Sequence, residues 1–156
     1  MMSEVKRIAG QLHASLTGPA WHGPSLLEIL EGVTAEEARH HPVASAHSIA
    51  EIVLHVTAWM SAAQRRLAGE PIELEGDADW PPVTDRFDWP AAVQGLRDAA
   101  ETLGVRIRTL SDAELTSIRV RGSGQDYSAY VLLHGVVQHN LYHAGQLALL
   151  KKAPRE

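Results

Sequence analysis

A chain of 156 residues with 45% hydrophobic content and no cysteine has enough length to bury a core without disulfides or zinc–cysteine staples, and it is expected to form one domain, 1–156. The net charge of −5 gives no electrostatic attraction to nucleic acid, and the lack of cysteine, of an apolar leader and of a stop-transfer run points to a cytoplasmic protein. Nine histidines are the unusual feature of an otherwise ordinary composition.

Residues 4–16 repeat apolar side chains at Val5, Ile8, Ala9, Leu12 and Leu16, which predicts an amphipathic helix. Gly18 and Pro19 interrupt it, and Leu26, Leu27, Ile29 and Leu30 resume it, so residues 3–30 are expected as one arm broken or kinked between 17 and 23. Trp21 and His22 lie on that break. Thr34 with Glu37 forms a capping box over a short helix that Pro42 stops, with His40 and His41 facing water. A second box, Ser48 with Glu51, opens a long helix over 48–68, and His55 shares its inward stripe with Ile52 and Trp59.

Residues 70–88 change character: they hold Pro71, Pro81 and Pro82, with five acidic side chains before Trp80. A connection of that length without regular structure tends to be functional. Asp88 then caps a helix over 89–110 with Pro90 in its first turn, and Ser111 with Glu114 opens a single further turn. The alternating segment 116–120 leading to Gly122, Ser123 and Gly124 predicts a short extended or hairpin-like link, after which Asp126 is expected to cap the last helix, 127–151. Four long helical arms with little strand predict an all-α four-helix bundle.

From Tyr127 to Leu150 the chain runs for 24 residues without Asp, Glu, Lys or Arg. Gln138, His139, Asn140, His143 and Gln146 interrupt the run, so it is a buried helix and no membrane span is expected. At about 100° per residue, His139 and His143 project roughly 40° apart, whereas His134 lies about 180° from His143. Side chains four apart on one face can offer two nitrogens to one metal ion, or they can be hydrogen-bonded core histidines; spacing alone leaves both open. Asn140 stands where a His-Glu-x-x-His protease motif would place its glutamate, and the helix has no carboxylate for a di-iron centre.

The segments Glu51-Ile-Val-Leu-His55-Val-Thr-Ala-Trp59 and His139-Asn-Leu-Tyr-His143-Ala-Gly-Gln146 resemble the two signature segments of the DinB/YfiT-like superfamily of metal-dependent enzymes. Trp21-His22-Gly23-Pro24-Ser25 and Ala46-His47-Ser48-Ile49-Ala50-Glu51 are similar as well, so the resemblance spans nearly the whole chain. It implies a four-helix bundle with long crossing connections, and a divalent metal (Zn, Ni or Fe) on His55, His139 and His143. It also implies a homodimer. Relatives include transferases that use low-molecular-weight thiols and a mycothiol-dependent isomerase, which implies a small-molecule thiol and an electrophilic substrate as partners. The alternatives are a metal-dependent hydrolase and a non-catalytic, stress-related metal-binding protein. Trp21, His22, Trp59 and Tyr142 are candidates to line the substrate cleft. Glu51 and Gln146 are candidates to orient a ligand imidazole, and Gly145 to let another helix approach.

Overall fold

The structure is a computed structural model and describes residues 2–117, 119–121 and 126–154. It is all-α apart from one short hairpin. The helices are α1 (Glu4–Thr17), α2 (Leu26–Leu30), α3 (Ala35–Arg39), α4 (Ile49–Leu67), α5 (Trp89–Arg108), α6 (Asp112–Ser117) and α7 (Ala129–Lys152). Strands β1 (Arg119–Arg121) and β2 (Asp126–Ser128) pair antiparallel, with Val120 opposite Tyr127. Among the described residues no helix is long and apolar enough to cross a membrane.

Of the four long helices, α4 packs on α5 and α7, and α1 packs on the same two. α1 and α4 therefore face each other across a diagonal, as do α5 and α7. Consecutive long helices that sit diagonally need long connections, and residues 18–48 and 109–128 supply them. One apolar cluster joins all four, with Ile8, Leu16, Met60, Leu96, Leu103, Leu133 and Leu147 among its fully buried members. α7 is apolar nearly all round: α1, α2, α4 and α6 each pack on it, while Tyr130, Val131, Tyr142 and Leu149 of the same uncharged run stay exposed.

Local signals set most helix ends. The Thr34–Glu37 and Ser48–Glu51 boxes form, as does Ser111–Glu114, and Asp88 accepts from the Ala91 amide. A further box, Ser25 with Glu28, opens α2. The first arm is broken rather than kinked: α1 ends at Thr17, and α2 packs against both α1 and α7. Gly18 permits the break, since its φ is +72° and an added Cβ would lie 2.8 Å from Glu28 Oε2. Asp126 does not cap the last helix. Its backbone is spent in the hairpin, and Ser128 takes the capping role by accepting from the Val131 amide at 3.3 Å. The hairpin expected after Thr116 is present, but Gly122, Ser123 and Gly124 lie outside the described residues.

Candidate metal centre

The packed faces of α4 and α7 carry the histidines that the sequence singled out. His55 comes from the middle of α4, while His139 and His143 stand one turn apart on α7. His55 and His143 are buried and His139 is partly exposed. Their Nε2 atoms converge, with 3.0 Å from His55 to His139 and 3.2 Å from His143 to His139. Nitrogens that share one tetrahedral ion at about 2.0–2.1 Å are separated by roughly 3.3 Å, so the spacing is that of a common ligand set.

Proton placement gives the same answer. His55 Nδ1 lies 2.7 Å from the backbone carbonyl of Asp79, an oxygen that can only accept, so Nδ1 carries a hydrogen and, in the neutral ring, Nε2 carries a lone pair. His143 Nδ1 lies 2.7 Å from Gln146 Oε1, which sets the same tautomer. His139 can then bring at most one proton to two lone pairs, and its Nδ1 is buried without a partner. Three ring nitrogens with one proton or none between them are unsatisfied by each other and suited to a cation. Burial, with His143 and His55 as neighbours, pushes the His139 pKa down to about 3. Burial also lowers that of His143, against the opposing pull of Gln146. Both rings are therefore neutral at physiological pH, the state a metal requires.

Two residues of the long connection that follows α4 complete the site. Asp79 reaches His55 with its carbonyl and also with its carboxylate, whose Oδ1 lies 3.2 Å from His55 Nδ1. That oxygen accepts from Trp59 Nε1 at 2.7 Å as well. Trp80 stacks on His55 with centroids 3.8 Å apart, and His47 stacks on the opposite face of Trp80 at 3.5 Å. The connection is thus a cover over the triad, held by aromatic packing and by Asp79. Sequence reasoning missed Asp79, Trp80 and His47. The one available signal was a tryptophan, Trp80, within an acidic, proline-rich connection.

Other expectations fare differently. Glu51 does not orient a ligand imidazole: its carboxylate accepts from the Ser48 amide at 2.7 Å and lies 3.1 Å from His41 and 3.4 Å from His47. The reason is positional, because a capping glutamate must reach back to its own helix start, away from His55. Trp21 and His22 are exposed, Trp21 fully, and neither makes a ring contact with the triad among the described residues. The break between α1 and α2 leaves them in solvent. Trp59 lies 5.6 Å from the His139 ring and Tyr142 5.1 Å from the His143 ring. Asn140 turns away from the site into the core, towards Ser15 and Met60.

Two cavities open onto the triad. One, of about 430 Å³, is bounded by His47, Trp80, Tyr142, His143 and Gln146. The other, of about 270 Å³, is bounded by Trp59, Val136 and His139.

An all-helical chain that gathers three imidazole nitrogens beneath a cover fits a metal-binding protein. The chain belongs to the DinB superfamily, whose family model matches residues 20–147, as its two signature segments imply. No curated protein and no solved structure matches it.

Proposed function

We propose that His55, His139 and His143 hold a divalent metal ion and that the protein is a metal-dependent enzyme joining a low-molecular-weight thiol to an electrophile. The observation that carries the reading is the convergence of three Nε2 atoms that cannot satisfy one another. When bound, the ion supplies Lewis acidity that holds a thiol as its thiolate near neutral pH. The chain's own residues do the rest. Asp79 and Gln146 fix the tautomers of His55 and His143, Trp80 shields the His55 face from water, and the two cavities offer separate places for two reactants beside one centre.

The test is consumption of a thiol panel, glutathione included, with a chromophoric chloronitrobenzene as electrophile. Metal-loaded protein is expected to accelerate the reaction, and metal-stripped protein and His143→Ala to lose that activity. Metal-dependent hydrolysis of an activated ester without thiol would replace the reading with a hydrolase. Bound metal without either turnover would leave a non-catalytic binding protein. Asp79→Ala is expected to weaken metal binding by about 10- to 100-fold, because His55 loses a partner that orients it. Unchanged affinity in a metal titration would show that the backbone carbonyl alone suffices.

A further inference from the structure

The smaller cavity contains a charge that the metal reading does not use. Arg66, in the last turn of α4, is only 4% exposed. Its Nε donates to the Ile72 carbonyl at 2.8 Å, its Nη1 donates to the Tyr127 hydroxyl at 3.1 Å, and its guanidinium lies 5.2 Å over the Trp59 ring. All three partners are neutral. The neighbouring Arg65 is exposed and paired with Glu70, whereas Arg66 has no carboxylate partner among the described residues and its Nη2 makes no hydrogen bond there. A buried cation without a counter-charge is costly, and an anion that enters beside it relieves the cost.

The space next to Arg66 is lined by Trp59, Val131, Leu132 and Val136, with Tyr127 and His139 as its other polar members. Gly135 also lines it, and a Cβ added there would meet no atom within 4 Å. At about 270 Å³ it holds a small molecule rather than a peptide. One uncompensated guanidinium matches one carboxylate, whose two oxygens fit its planar fork, and the apolar walls call for an apolar body.

We propose that this cavity binds a small carboxylate with an apolar body, its carboxylate paired with Arg66 and its body lying along Trp59 and Val136 beside His139. The assignment names the class of one of the two reactants and rests on the two-reactant reading for its purpose, but binding itself requires no metal.

The test uses metal-stripped protein, verified by elemental analysis, titrated calorimetrically with benzoate and with its neutral counterpart benzamide. Benzoate is expected to bind at least about tenfold more tightly, the size of a charged hydrogen bond retained in an apolar site. Arg66→Met should erase that preference, and Gly135→Leu, which fills the cavity from a helix position with room for it, should abolish binding of both. Equal affinity for the two probes, no benzoate binding, benzoate binding that appears only with metal restored, or binding unaffected by Gly135→Leu would each overturn the assignment. Should Arg66→Met fail to fold, the probe comparison and Gly135→Leu still decide. Charge-selective benzoate binding without thiol turnover would support this site while removing the reaction proposed above.

Discussion

Replacing His55, His139 or His143 by alanine is expected to strip bound metal, while His134→Ala keeps it. His134 is the internal control because it lies in the same helix and the same uncharged run. Its ring packs 4.4 Å from Tyr130, and its Nε2 lies 3.9 Å from Glu4 Oε1 on the α1 side, so it is no part of the converging set. Each of the other three contributes one nitrogen, and a two-imidazole remnant is a poor site for a divalent ion. The expected loss of affinity exceeds the roughly 10- to 100-fold effect of removing an orienting partner. Metal-to-protein ratios after dialysis, with circular dichroism to confirm that the helices persist, measure it. Equal loss in His134→Ala and the other three variants, all folded, would sink the assigned ligand set.

Metal should also stabilise the fold. If only the folded chain binds the ion, a concentration about 1,000 times the dissociation constant adds about 4 kcal/mol, which for a domain of this length raises Tm by roughly 8–16 °C. The pH dependence follows from His139 and His143, whose pKa values are lowered in the fold. Above about pH 6.5 the His139 ring is neutral in both folded and unfolded chains, so it adds no pH dependence. As pH falls from there towards about 3, the unfolded chain takes a proton that the folded one refuses, and the metal-free protein loses stability. His139→Ala should flatten that slope. The same burial keeps the His139 ring neutral well below pH 6.5, so its protonation should not remove the gain from metal at pH values where free imidazoles are already protonated. Thermal melts of stripped and loaded protein across pH check both statements. An unchanged Tm on adding metal to stripped protein would count against the site.

The elements were legible because local physics sets them. Apolar spacing marked the long helices, and Ser or Thr followed three residues later by Glu marked where several begin, since a capping side chain needs only its own next turn. The pairing of His139 with His143, and the exclusion of His134, also follow from helix geometry alone. Where a local rule had two solutions, the longer range chose. Asp126 is a good cap by sequence, yet pairing of residues 119–121 with 126–128 moved the cap to Ser128. Likewise, Glu51 could serve its cap or a histidine of the triad, and the cap won because it is one turn away.

By itself, then, the sequence determined the helices, the two-histidine face and, through resemblance, the third histidine. Only the tertiary structure decided what surrounds them. Asp79 is 24 residues from His55 and Tyr127 is 61 from Arg66, and no periodicity links residues so far apart. Their meeting depends on how the connection after α4 folds back over α4 and α7, and on a hairpin that brings Tyr127 to the end of α4. Helix faces are periodic and can be read from one segment. A cover, and a buried cation with no carboxylate partner among the described residues, arise from the packing of several segments, and the sequence of any one of them leaves that packing undetermined.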